Sequence, residues 1–118
     1  MLHTSVIDGE IAGYTGKNWK KLLENGIRLL LNKGYSKDKI KKEINVNLEE
    51  ANFHKIKGYR LIEKTNICLQ GKTAFSSVSS LFKVATICNC KLKLNFTWQN
   101  TEKVLPKYRN KTGLILFE

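Results

Sequence analysis

The most regular apolar pattern of the chain lies between residues 16 and 34. Apolar positions recur there at intervals of three and four, which is the period of an amphipathic helix with one buried face. They are Trp19, Leu22, Leu23, Gly26, Ile27, Leu30 and Leu31. We therefore expect a helix whose apolar face, Trp19 included, belongs to the core, with Thr15 as N-cap and Gly34 just after the C-terminus. Gly26 should let a neighbouring backbone come close.

Two shorter helices are predicted next, over residues 37–44 and 48–57. Ser36 can cap the first helix through its hydroxyl group. Asn47 can cap the second, and Glu50 stands three residues later, as in a capping box. A short polar break separates the two helices, so they are expected to pack as a helical pair.

The spacing of apolar residues in this pair resembles that of phage-repressor-type helix-turn-helix motifs. The matching positions are Ile40, Ile44, Val46 and Ala51. The resemblance implies that the second helix contacts DNA. Lys41 stands where the motif usually has a small residue, and His54 stands where it has a buried aliphatic one. Glu49 and Glu50 would repel phosphates, so an ordinary helical hairpin is an equal alternative.

The second half of the chain mixes strands with one more helix. Short apolar runs predict strands at 59–63 and 66–71, and helical spacing returns over 72–90. Residues 91–99 alternate strictly between apolar and polar, which is typical of a half-buried strand. Its apolar face consists of Leu92, Leu94, Phe96 and Trp98. A last strand at 114–118 would pair antiparallel to it.

These elements predict an α+β fold in a single domain over residues 1–118. About three N-terminal helices would pack on a small, largely antiparallel sheet with a further helix, in the order α-α-α-β-α-β-β. Residues 1–15 would form an arm or a short strand. The apolar content of 42% suffices for a packed core and is too high for a disordered chain.

The chain is strongly basic, with 21 Lys and Arg residues against 10 Asp and Glu residues and a formal charge of +11. Such a surface attracts nucleic acid, acidic proteins or anionic lipid. Only three of the cations are arginines: Arg28, Arg60 and Arg109. Lysine binds phosphate as a point charge and lacks the fork with which arginine recognises guanine. The composition favours sequence-independent contact with the phosphate backbone, although AT-rich codons would also enrich a chain in Lys, Asn and Ile.

The basic face of strand 91–99 and the connection after it form the principal candidate site. Cations with an aromatic residue among them can hold a nucleic-acid backbone and stack a base, and no acid lies within 103–111. The candidates are Lys91, Lys93, Lys103, Lys107, Tyr108, Arg109 and Lys111. Secondary contacts are expected from Lys55, Lys57 and Arg60. The alternative is a solvated sheet face whose lysines protect an edge.

The sequence lacks the known metal-binding and nucleotide-binding motifs. Gly16 and Lys17 precede the first helix without the other residues of a phosphate-binding loop, although such a pair can attract one anion. Cys68, Cys88 and Cys90 form no zinc pattern and indicate free thiols in a reducing compartment. We expect no cofactor and no metal. Without a secretory signal or an apolar span, the chain is expected to be cytoplasmic and away from membranes.

The function predicted from the sequence is that of a small accessory or regulatory protein that binds nucleic acid mainly through backbone electrostatics. The leading alternative is a protein-interaction module of the phage or mobile-element type, whose basic face binds an acidic partner. A metal-free ribonuclease of the toxin type comes third. Its candidate residues are His54, Tyr59, Arg60, Tyr108 and Arg109. An exposed edge strand would permit a homodimer, but no residue pattern requires one.

Overall fold

The computed structural model of the protein describes residues 4–71, 74–98, 107 and 112–117. This part of the chain contains three helices: α1 (Trp19–Asn32), α2 (Lys37–Ile44) and α3 (Ala74–Cys88). It also contains seven strands: β1 (Thr4–Ile11), β2 (Tyr14–Gly16), β3 (Leu48–Glu50), β4 (Tyr59–Leu61), β5 (Ile67–Gln70), β6 (Leu92–Trp98) and β7 (Thr112–Phe117). The strands form two antiparallel sheets, ordered β2-β1-β6-β7 and β3-β5-β4.

The protein has an α+β fold, but the predicted order of its elements is wrong. The described chain begins with the β1–β2 hairpin before any helix, and its strands divide between two sheets instead of one. The hairpin turns at Ala12 and Gly13, which both have positive φ angles of 48° and 86°. A two-residue hairpin turn needs such angles, and Asn-Gly is the pair that usually marks it. An Ala-Gly pair provides no comparable signal in the sequence.

The helix predicted over residues 48–57 does not form, so the helix-turn-helix interpretation is wrong. Residues Leu48–Glu50 pair with β5 as strand β3, and a 3-10 turn follows at Ala51–Phe53. Asn47 was expected to cap a helix. Instead its carbonyl accepts the N–H of Gln70 at 3.1 Å, and its side-chain amide donates to Gln70 Oε1 at 2.7 Å. Pairing with a distant apolar strand therefore outweighs the local capping signal.

Helix α1 supplies the centre of the core, as its periodicity predicts. Its fully buried apolar residues are Leu22, Leu23, Ile27 and Leu30. Trp19 is only half-buried, because it lies in the first turn of the helix. The N-cap is Asn18 and not Thr15, since Asn18 Oδ1 accepts the N–H of Lys21 at 2.7 Å. Gly34 follows the C-terminus with a φ of 92°, as expected for a residue that ends a helix.

Glycine residues allow α1 to pack closely on both sides. Gly9 and Gly16 are paired across the β1–β2 hairpin, and both lie against the side chain of Leu22. On the other side, Gly26 faces α3, where an added Cβ would lie 3.3 Å from Val84 Cγ2. The close approach predicted at Gly26 is therefore present, but its partner is a side chain and not a backbone.

Asn25 is buried and links α1 to β2 directly and to the turn before β5 through Arg28. Its side-chain amide donates to the carbonyl of Thr15 at 2.9 Å, and its Oδ1 accepts from Arg28 Nη1 at 2.9 Å. Arg28 Nη2 donates in turn to the carbonyl of Glu63 at 3.1 Å. Arg28 thus serves the structure by joining α1 to the turn before β5.

Strands β6 and β7 form as predicted and pair antiparallel. Leu92 and Leu94 are buried, whereas Lys91 and Lys93 are exposed, which confirms the predicted alternation over residues 91–94. Phe96 lies opposite Gly113 on β7, and its ring occupies the space where a side chain at that position would stand.

Candidate nucleic-acid interface

The segment from His54 to Arg60, which we call the basic loop, contains the last four residues of the predicted helix and runs into β4. The N–H of Lys55 donates to the carbonyl of Tyr59 at 2.8 Å, which closes the loop across its own backbone. The Nδ1 atom of His54 accepts the N–H of Leu61 at 3.0 Å. These bonds hold the backbone in one conformation while most of its side chains stay exposed.

Three residues of the basic loop have left-handed backbone conformations: Lys55 with a φ of 69°, Lys57 with 48° and Gly58 with 84°. A residue with a side chain adopts this conformation at a cost of about 1–2 kcal/mol. The carbonyl of Lys57 accepts from Gln70 Nε2 at 2.9 Å, which helps to keep the strained turn in place. Strain of this kind concentrates at functional surfaces, and here it displays two exposed lysines.

A cavity of about 280 Å³ lies between the basic loop and the first two turns of α1. We call it the basic cleft. Its lining consists of Asn18, Lys20, Lys21, Glu24, His54, Arg60, Leu61 and Glu63. Lys20, Lys21 and Arg60 are exposed cations. Because only two carboxylates accompany these three cations, the lining has a net positive charge even when the histidine is neutral.

The polar groups of the basic cleft are mainly hydrogen-bond donors. Since Nδ1 of His54 accepts the N–H of Leu61, the neutral ring has its proton on Nε2 and can donate from there. Arg60 uses Nη1 for the carbonyl of Tyr59 at 3.1 Å and has further N–H groups on its guanidinium. Donors of this type match the oxygen atoms of a phosphate group.

Glu24 differs from the other groups of the basic cleft because only 6% of its surface is exposed. Among the described residues, its carboxylate forms no ion pair and accepts no side-chain hydrogen bond. Glu63 also lines the cleft, but it is exposed and is free to be hydrated. The cleft therefore combines surface cations with one buried acceptor.

The strand surface predicted as the principal site is described only in part. Lys91, Lys93 and Lys107 are exposed. In the sheet, Lys93 stands opposite Glu10 of β1 and Leu116 of β7. Opposite charges directly across an antiparallel pair attract each other, so Glu10 offsets the charge of Lys93. The remaining candidates lie outside the described residues, and the site as a set stays a prediction: Lys103, Tyr108, Arg109 and Lys111.

The secondary candidates, in contrast, are all described, and one of them, Arg60, lines the basic cleft. Lys55, Lys57 and Arg60 all belong to the basic loop. The sequence prediction missed Lys20 and Lys21, which face the loop across the basic cleft. One signal was available, because two lysines in the first turn of a helix oppose the helix dipole and are therefore unfavourable for the helix alone.

The three cysteines are free, as predicted. Burial raises the pKa of the Cys88 thiol, with the charge of Lys33 opposing the shift, and burial also raises the pKa of the Cys90 thiol. Among the residues that the structure describes, no three His, Cys, Asp or Glu side chains are grouped so that they could hold a metal ion. No helix in that part of the chain is long and apolar enough to cross a membrane.

No protein-family model, no curated protein and no solved structure matches this chain. Its function is therefore inferred from the chemistry of its own surface, where Lys20, Lys21 and Arg60 line one cavity.

Proposed function

We propose that the protein binds nucleic acid through the phosphate backbone, at the basic cleft and the adjoining basic loop. One observation supports this above all: Lys20 and Lys21 of α1 converge with His54 and Arg60 of the loop around a single cavity. Amino, guanidinium and imidazole donors around a cavity suit phosphate oxygens, which account for most protein contacts to nucleic acid.

The kind of cation favours backbone contact over recognition of base sequence. Arg60 is the one arginine in the lining of the basic cleft, and the other permanent cations there are lysines. Lysine attracts phosphate without the bidentate geometry that distinguishes guanine. The total charge of +11 adds a long-range attraction for any polyanion.

The basic cleft is a better candidate than the β6 surface because three described cations and a histidine line one cavity there. Lys55 and Lys57 extend the positive surface of the cleft along the basic loop. On β6, the exposed Lys93 has the exposed Glu10 as its direct cross-strand neighbour. A polyanion approaching that row of the sheet would meet one charge of each sign.

The proposal is tested by measuring how the affinity of the full chain for a short single-stranded nucleic acid depends on salt. Each phosphate neutralised should contribute about −0.7 to the slope of log affinity against log salt concentration. Reversing both lysines, Lys20→Glu with Lys21→Glu, should weaken binding and flatten the slope. The control pair Lys42→Glu with Lys83→Glu makes the same change of net charge at exposed positions outside the basic cleft and should keep a steeper slope.

Two results would contradict the proposal. If Lys91→Glu with Lys93→Glu abolished binding while the Lys20 and Lys21 reversals did not, the interface would be the β6 surface. Absence of any salt-dependent binding would contradict nucleic-acid binding itself and favour an acidic protein as the partner.

A metal-free ribonuclease is a second candidate because His54 and Arg60, two of its predicted residues, line the same cavity as Glu24. Tyr59, a third, packs edge-on against Phe53 with ring centroids 5.7 Å apart, so its ring serves the loop structure. Tyr108 and Arg109 lie outside the described residues. RNA cleavage that persists in EDTA and is lost in His54→Asn would support this function, and intact RNA after prolonged incubation would exclude it.

A further inference from the structure

We infer that the basic cleft prefers RNA to DNA, and that Glu24 is the residue that recognises the ribose 2′-hydroxyl group. This inference rests on the proposed nucleic-acid binding and names its substrate class. Its basis is the combination, in one cavity, of cations for phosphate and a buried carboxylate for a hydrogen-bond donor.

The carboxylate of Glu24 needs a donor that the described protein does not supply. Glu24 as a residue is 94% buried in the wall of the basic cleft, and no described side chain pairs with its carboxylate. An ionised carboxylate can only accept hydrogen bonds. Because this carboxylate lines the basic cleft without a described side-chain partner, a ligand that brings a donor to this position gains a charged hydrogen bond that a ligand without a donor cannot form.

The nucleic-acid backbone contains one such donor, and only in RNA. Phosphodiester and deoxyribose groups offer acceptors alone, whereas the 2′-hydroxyl of ribose both donates and accepts. A phosphate group placed at Glu24 would be repelled by its charge. The sugar hydroxyl is therefore the backbone group that fits beside the carboxylate while the phosphate binds the cations.

The spacing of the charged groups suits one nucleotide. Lys20 and Lys21 precede Glu24 by four and three residues, so all three side chains lie on the same face of α1, one turn or about 5.4 Å apart. The 2′-hydroxyl and the 3′-phosphate of RNA are attached to adjacent carbons of one sugar. A lysine and a carboxylate one helical turn apart can bind these two groups together.

The inference is tested on the wild-type protein with three single-stranded probes of one mixed sequence: RNA, DNA with deoxyuridine for thymidine, and 2′-O-methyl RNA. The RNA should bind about tenfold to a hundredfold more tightly than the DNA, which is the effect of one charged hydrogen bond. The 2′-O-methyl RNA should bind as weakly as the DNA, since its 2′-oxygen has no hydrogen to donate. Gel analysis after the titration verifies that the RNA has not been cleaved.

Variants of Glu24 connect the preference to the residue. Glu24→Met removes the acceptor and should bring the ratio of RNA to DNA affinity close to one, and Glu24→Gln should give an intermediate ratio. Glu43→Gln is the matched control, because Glu43 is an exposed carboxylate of α2 outside the basic cleft and its loss should leave the ratio unchanged. Thermal unfolding of each variant checks that it is folded.

Several outcomes overturn the inference, and they differ in what they leave standing. Equal, salt-dependent binding of RNA and DNA would refute the role of Glu24 but keep the proposed function. Tight binding of the 2′-O-methyl RNA would show that the shape of the chain and not the hydroxyl donor is recognised. Absence of binding to every probe would refute the proposed function itself.

Discussion

His54 and Leu61 are joined by a hydrogen bond from the backbone N–H of Leu61 to the Nδ1 atom of His54, with a length of 3.0 Å. The bond connects the first residue of the basic loop to the residue that follows the loop, and it fixes the histidine ring at the edge of the basic cleft. One side chain therefore has two roles, because one ring nitrogen stabilises the loop and the other is available to a ligand.

These two roles can be separated by substitution. His54→Ala removes the acceptor and should lower the free energy of unfolding by about 0.5–1.5 kcal/mol, as for the loss of one hydrogen bond, with the lower end expected because this bond is exposed. His54→Asn retains a short side-chain acceptor for the N–H of Leu61 and should be closer to the wild type in stability, yet it lacks the imidazole donor. Urea denaturation measures the first effect. Equal stability of both variants and the wild type would show that this bond does not hold the basic loop.

Gly9→Ala should destabilise the protein by about 1–3 kcal/mol, because the new methyl group would overlap the Cδ1 atom of the fully buried Leu22. The matched control is Gly71→Ala, since a Cβ at Gly71 has no atom within 4 Å and its φ is not left-handed. This control should be neutral or slightly stabilising. Thermal melts of the two variants compare them directly, and equal melting temperatures would contradict the packing of α1 on the β1–β2 hairpin.

Ser80→Ala should reduce the free energy of unfolding by about 1–3 kcal/mol. The Ser80 hydroxyl donates to the carbonyl of Ile44 at 2.7 Å in a buried site. Ile44 is the last residue of α2, where carbonyl groups lack a partner within the helix. Ser79 precedes Ser80 in α3 and is exposed, so Ser79→Ala should be neutral or slightly stabilising through its better helix propensity. Chemical denaturation that finds the two variants alike would refute the α2–α3 contact.

The thiols of Cys88 and Cys90 should make stability depend on pH in the alkaline range. Burial raises the pKa of both thiols above that of an unfolded cysteine, and the charge of Cys88 adds to the shift at Cys90. The unfolded chain therefore releases these protons at lower pH than the folded protein does. The contribution is complete below the unfolded pKa of about 8.5 and is lost as pH rises through the raised folded values.

Lysines and tyrosines also titrate in the alkaline pH range. The double variant Cys88→Ala with Cys90→Ala separates the effect of the two thiols from theirs. Between about pH 8 and about pH 10, the free energy of unfolding of the wild type should fall relative to that of the variant. Urea denaturation at both values measures it. A difference that is constant over this range would show that the thiols titrate alike in the folded and unfolded chain.

Much of the secondary structure was predictable because its signals are local. The apolar period of α1, the Ser36 cap of α2 and the strict alternation of β6 each lie within one segment of the chain. Ser36 accepts the N–H of Lys39 at 3.2 Å, as its position before the helix predicts. Neighbouring residues supply the partners in these cases, so the sequence pattern contains the needed information.

The segment from Leu48 to Gly58 was mispredicted for the opposite reason. Its capping signal at Asn47 is genuine, but the backbone of Asn47 and the strand after it find partners in β5, about twenty residues later in the chain. The left-handed φ angles at Lys55 and Lys57 then exclude a helix. Lysine is not a residue type that predicts such angles, as glycine would be. A competition between local and distant hydrogen bonds depends on the partner strand, which a local pattern does not include.

The sequence by itself determined the charge of the protein, its α+β class, the apolar face of α1 and the kind of cation on its surface. Only the tertiary structure decided where those cations meet. Lys20 and Lys21 are separated from His54 and Arg60 by more than thirty residues, and the packing of the first turns of α1 beside the basic loop brings the two groups to one cavity. The burial of Glu24 arises in the same way, because burial depends on which segments cover a helix and not on the order of residues along it.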